Sequence, residues 1–154
     1  LDAFSAIVLF AMKLFFCTND LPAAVAIRVF TWSDWSHVAI VDGDEIIEAV
    51  WPRVKVSKLD NVQKWYKRWA LAEVKTRNDA EIIKAARSQV GKPYDVGAIF
   101  GFVARRNWEK TDKWFCSELV AWAFSQANEP LFRPGTFSRV TPQHIWMISN
   151  RETL

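Results

Sequence analysis

The strongest constraint on the fold is local. Two β-rich runs, residues 36–41 and 45–50, flank the dipeptide Asp42-Gly43. Such a dipeptide between apolar runs is the strongest short-range hairpin signal, so the chain must contain antiparallel pairing. Residues 13–17 read as a short buried strand, and Val54 and Val56 alternate with Arg53, Lys55 and Ser57 as a half-exposed strand does. Residues 69–75 read as one more strand. Asp20 is placed to cap a helix that runs through Pro22 to about Phe30.

The second half changes character. Asn78 with Glu81 predicts a capping box and a helix ending near Gly91. A second helix is expected over residues 95–104. Asp112 is placed to cap a third over residues 113–127, and Pro142 opens a last helical turn. Strands first and helices later specify an α+β domain and argue against a parallel βαβ sheet.

At 154 residues the chain suits one domain, expected over residues 12–150, with residues 1–11 as an N-terminal extension. A 51% hydrophobic content excludes disorder for most of it. No apolar run reaches the roughly 18 residues of a transmembrane helix. The apolar stretch over residues 4–17 lacks a basic lead-in, so a start near Met12, or residues foreign to the native protein, is expected rather than a signal peptide. Synthesis in the cytoplasm follows as the expectation, with lysis or secretion as routes to the cell wall.

The net charge of +3 hides an uneven distribution: residues 53–77 carry eight Lys and Arg against Asp60 and Glu73, a local +6. With no nucleic-acid motif beside it, this strip reads as solvated surface. Two Cys cannot build a disulfide framework, and their spacing to His matches no metal site; neither a metal nor an organic cofactor is expected.

The chemistry narrows to a few side chains. Cys116 is expected three to four residues into the helix capped by Asp112, where unpaired amides and the helix dipole favour a thiolate. Cys17, within Leu14-Phe15-Phe16-Cys17, reads as inert core. His144, after Thr141-Pro142-Gln143, reads as a surface or capping residue. His37 differs. If Asp42 and Gly43 are the two turn residues, Val41 pairs with Asp44 and His37 falls directly opposite Glu48, on the same sheet face. A carboxylate there can fix the imidazole tautomer and leave the other ring nitrogen for a thiol. An ordinary cross-strand His–Glu pair would look the same.

The ordered blocks Trp35-Ser36-His37-Val38-Ala39-Ile40-Val41, Ile46-Ile47-Glu48-Ala49, Gly91-Lys92-Pro93-Tyr94-Asp95 and Phe115-Cys116-Ser117-Glu118-Leu119-Val120 resemble the NlpC/p60 papain-like cysteine hydrolases. With His37 ahead of Cys116, the chain is similar to their circularly permuted, YiiX-like branch. The resemblance implies a papain-like α+β fold in which an antiparallel sheet packs against helices that include the Cys-bearing one. It implies Cys116 as nucleophile, His37 as base and Glu48 as orienter, without a cofactor. Tyr94 matches a Tyr set beside the site, to line the pocket or donate to the oxyanion. Trp35, in Trp32-Ser33-Asp34-Trp35, reads as a substrate-groove wall or as core, and Trp114 is equally open. The implied activity is hydrolysis of amide bonds in peptides, with peptidoglycan as substrate class. Acyl transfer or lipid and thioester chemistry, as in the lecithin–retinol acyltransferase group, is the second reading. A non-catalytic binding module is the third.

Overall fold

In the computed structural model, residues 9–98, 112–134, 136 and 139–151 are described. The chain forms β1 (Phe10–Thr18), α1 (Pro22–Thr31), β2 (His37–Asp42), β3 (Glu45–Val50), β4 (Arg53–Lys58), α2 (Leu59–Trp65), β5 (Arg68–Thr76), α3 (Asp79–Ser88), α4 (Cys116–Gln126), α5 (Pro142–Ile148) and the two-residue β6 (Asn150–Arg151). One antiparallel sheet runs in the order β4-β3-β2-β1-β5-β6. Among the described residues no helix is long and apolar enough to cross a membrane.

Both faces of the sheet's centre are covered, which explains why β1 and β2 read as nearly continuous apolar runs. Leu14, Phe16, Val38, Ile40 and Ile47 pack with Ile82 of α3, Leu119 and Phe124 of α4 and Ile145 of α5. On the opposite face Phe15, Cys17, Ala39, Val41 and Ile46 lie with Leu59 and Val62 of α2 and with Tyr66. Each large apolar side chain withdrawn from water in this way contributes about 1.5–3 kcal/mol.

The hairpin register differs from expectation. Asp42 pairs with Glu45, Val41 with Ile46 and Ile40 with Ile47, so the turn residues are Gly43 and Asp44. Of these two, only Gly43 has positive φ, +62°. Glycine at the first central position makes a type II′ turn, whereas a turn centred on Asp42-Gly43 would need left-handed backbone at Asp42 as well. The pairing shifts by two residues, and side chains alternate with a period of two, so His37 and Glu48 keep a common face. They become diagonal neighbours rather than opposed ones. The residue opposite His37 is on the other side: Cys17 of β1.

Two helix starts also move, and a third keeps its place without its expected capping box. Leu21, not Asp20, is the N-cap of α1; the side chain of Asn19 accepts from the Leu21 N–H at 3.1 Å and Asp20 pairs with Arg28. Asn78 caps α3 without a side-chain hydrogen bond, so the capping box does not form, and α3 ends at Ser88. The shift at the Cys-bearing helix matters most. Trp114 spends its backbone on a bridge, donating to Pro93 O at 3.0 Å and accepting from Asp95 N at 2.9 Å, so the helix cannot begin before Cys116. Asp112 is left outside the capping position. The expected helix over residues 95–104 lies, beyond Ala98, outside the described residues.

That bridge belongs to a strap that positions the site. Gly91, with φ +94°, donates to Val54 O, and Lys92 O accepts from Val54 N, both at 2.9 Å. Tyr94 then donates to Pro52 O at 3.0 Å. Residues 91–95 therefore tie β4 to the segment entering α4 and hold the start of that helix against the β2–β3 hairpin.

Candidate active site

Cys116 is the first residue of α4, and its side chain is only 1% exposed. The amides of a first turn have no intrahelical acceptors, so the thiol sits among unpaired donors at the positive end of the helix dipole. Its Sγ lies 4.0 Å from Ser36 O, just ahead of β2. The next residue, His37, is buried, and Cys116 lies close enough to its side chain to raise its pKa. His37 Nε2 donates to Glu48 Oε2 at 2.8 Å. The second carboxylate oxygen is held as well, accepting from Ser57 Oγ of β4 at 2.6 Å. An imidazole, a carboxylate and a hydroxyl are thus linked across β2, β3 and β4, with the thiol of α4 near the imidazole.

Burial opposes charge on the imidazole, but the hydrogen bonds to Cys116 and Glu48 and their charges outweigh it, raising the His37 pKa to about 10. The Glu48 carboxyl runs the other way. Burial pushes its pKa up, while His37, Ser57 and the nearby Lys55 charge pull it down, and it ends below its ordinary value. His37 and Glu48 therefore form a buried ion pair over a wide pH range. Cys17 is buried as expected, and burial followed by the charges of Glu48 and Cys116 pushes its thiol pKa well above normal. It is not remote core, however, since it stands opposite His37.

Tyr94 is half-buried, packs on the Phe115 ring at 6.0 Å and lies close enough to Cys116 to feel its charge; burial, then Cys116, raises its pKa. Trp35 is 5% exposed, wedged between Phe16 and Trp146, so it is no open groove wall. Trp32 of the same stretch is 92% exposed. Trp114 is core, its Nε1 donating to Gln89. His144 caps α5: its Nδ1 accepts from Thr141 N at 3.1 Å, and Thr141 Oγ1 accepts from His144 N.

Sequence reasoning missed Ser57 and Tyr66. Ser57 is an unremarkable polar position on a half-exposed strand. Tyr66 sits between α2 and β5, close enough to Cys17, Glu48 and Cys116 for their charges to raise its pKa, after burial. Neither carries a local signal.

Glu118, two residues after the thiol, is buried and accepts from Phe115 N at 3.3 Å. Burial raises its pKa to about 7, opposed by that hydrogen bond and aided by Asp95. A carboxyl whose folded value exceeds its ordinary 4.5 stabilises the fold at low pH and loses that contribution as pH rises through 7. Glu118→Gln keeps the acceptor and removes the ionisation. Its melting temperature, relative to the parent, is expected to rise between pH 5 and pH 8.5; a constant difference would show that Glu118 does not ionise in the folded chain.

A family model described as the permuted papain-like amidase enzyme, YaeF/YiiX, C92 family, matches residues 8–152. Among solved structures, the metalloprotein yiiX from Escherichia coli O157:H7 superposes with a TM-score of 0.62 at 20% identity, covering 80% of this chain and 67% of that one. That likeness establishes the shared fold. No curated protein matches this chain. Among the described residues, no three His, Cys, Asp or Glu side chains are grouped to hold a metal ion, so the residues do not fit the metal of that title.

Proposed function

The chain belongs to the permuted papain-like amidases of the C92 family, and we propose that Cys116, His37 and Glu48 perform its chemistry on peptide amides, with peptidoglycan peptides as the substrate class. The observation that carries the site assignment is the His37–Glu48 contact at 2.8 Å with the Cys116 thiol near enough to the imidazole to raise its pKa. The wall-peptide assignment rests on the resemblance of the sequence blocks.

In the proposed cycle the proton of Cys116 already resides on the His37 imidazolium, and the thiolate Sγ attacks the scissile carbonyl. The amide of Cys116, free at the helix start, donates to the developing oxyanion. His37 then protonates the leaving amine as the C–N bond breaks, giving a thioester on Cys116. Water attacks the thioester, its proton going to His37, and the acid product leaves as the thiolate is restored. Glu48, itself held by Ser57, keeps the imidazole oriented and stabilises its charge.

Intact-mass spectrometry on acid-quenched reactions tests this. With peptidoglycan peptides, a mass increment equal to the acyl portion is expected on the fragment carrying Cys116, together with a new free amine in the product. Amine release without any adduct trapped at Cys116, in the parent or in a deacylation-slowed reaction at low pH, would overturn the covalent route. Acylation by simple peptide esters but none by wall peptides would keep the site and discard the substrate class.

A further inference from the structure

We propose that the outer side of α1, with Trp32 at its end and the cationic corner that enters β5, docks on the surface of a lipid bilayer with anionic headgroups. Every exposed residue from Leu21 to Trp32 is apolar. Leu21, Val25, Val29 and Trp32 recur at helical spacing and form one stripe, in which Val29 is 65% exposed. The helix's lone charge, Arg28, is paired with Asp20 at 3.3 Å. A surface helix ordinarily turns polar side chains outward, and one that does not is built to meet another apolar medium. Trp32 ends α1 with φ +51°, in the left-handed region. Gly or Asn ordinarily fills that position, and a bulky side chain there bears a steric cost. No packing offsets the cost, because the indole is almost wholly in water. Indoles collect at the headgroup level of bilayers, which suits both the apolar ring and its N–H.

The neighbouring charge selects a bilayer over a second copy of this chain. Arg68 pairs with Thr18, ahead of α1, and lies 4.9 Å from the centroid of the Trp35 ring, beyond it. It is thus held between the two ends of the α1 connection. Lys64, Trp65, Lys67 and Trp69 flank it, all exposed, and among the described residues none of the three cations has an acidic partner. Asp20 is offset by Arg28, so Asp34 alone in the α1 connection opposes Lys64, Lys67 and Arg68, a net +2. Apolar tips with aromatic and basic residues at their margin suit a negatively charged membrane surface. A two-fold contact between copies would instead set these like charges against each other. α1 joins the end of β1 to the start of β2, where His37 stands opposite Cys17, so docking brings that end of the sheet to the bilayer.

Docking needs no turnover and stands apart from the amidase reading. Flotation with vesicles of phosphatidylcholine, alone or mixed with phosphatidylglycerol, tests it. The chain is expected to bind the mixed vesicles at least about tenfold more tightly at low salt, the scale of two net cations at a charged surface. That preference should fade as salt rises. Lys64→Gln, Lys67→Gln and Arg68→Gln together should abolish it. Val29→Gln with Trp32→Asn changes two exposed positions, and Asn tolerates the left-handed cap. This pair should weaken binding to the mixed vesicles at least about tenfold by removing the inserted apolar area, with the circular dichroism of the parent. No binding to mixed vesicles, or equal binding to both kinds, overturns the docking face. So does binding that survives Val29→Gln with Trp32→Asn, which would be adsorption by charge alone. A dimer in sedimentation equilibrium that the same two changes dissociate would assign the face to a second copy and equally overturn it.

Discussion

Cys116→Ala is expected to lower peptide hydrolysis by at least about a thousandfold, the scale on which removal of a nucleophile from a working triad is felt. The fold should survive. The change deletes one atom from a buried side chain at a helix start and leaves a cavity no larger than a methyl group, a loss of about 1 kcal/mol. Cys17→Ala removes the same atom from the same neighbourhood and is the natural control, since Cys17 faces His37 without completing the line to Glu48. Its turnover is expected to stay within about tenfold of the parent, the range of a modest packing defect. Alkylation gives an independent reading. Burial and the charges of Glu48 and Cys116 hold Cys17 protonated far above neutrality. Iodoacetamide near pH 6 should modify Cys116 first, as peptide mapping would show. Preferential modification of Cys17, or retention of turnover in Cys116→Ala, would remove Cys116 from the chemistry.

The sequence foretold which side chains of the candidate site share a face better than it foretold their exact pairing, and the reason lies in periodicity. β1 to β5 were legible because apolar runs and alternation are local, and the hairpin because Asp-Gly is a local turn signal. The exact pairing was not legible, since Gly43 can serve either central position of a two-residue turn. The error was harmless for His37 and Glu48 because a two-residue shift leaves every side chain on its face. Starting α4 at Asp112 failed for a different reason. Local capping competed with a backbone bridge from Trp114 to Pro93 and Asp95, about twenty residues upstream, and the bridge won. Pairings that only the folded chain creates likewise hid Ser57 from Glu48, Tyr66 from Cys17 and Arg68 from Trp35. Only the ordered blocks shared with a family linked the two halves in advance.

The His37–Glu48 pair allows fold and function to be separated. His37→Gln is expected to cost turnover about a hundredfold or more, the contribution of a general base. It should also destabilise the chain, because it strands Glu48 as a buried carboxylate with Ser57 as its remaining hydrogen-bond donor; losing one partner of a buried pair costs about 3–5 kcal/mol. The pH dependence has a definite sign. The imidazole's folded pKa, about 10, lies above its ordinary 6.5, so its stabilisation is complete below 6.5 and is lost as pH rises through 10. Glu48, lowered from 4.5, contributes above that value and loses its contribution as pH falls. The urea midpoints of parent and His37→Gln should therefore differ most between about pH 5 and 6.5 and converge toward pH 10. Adding Glu48→Gln to His37→Gln removes the stranded charge. The double variant should regain most of the lost stability and none of the lost turnover. If it regained both, the pair would be an ordinary buried ion pair and the base would have to be sought elsewhere. If Glu48→Gln alone left turnover unchanged, His37 would need no orienting partner and only the carboxylate's role would fall.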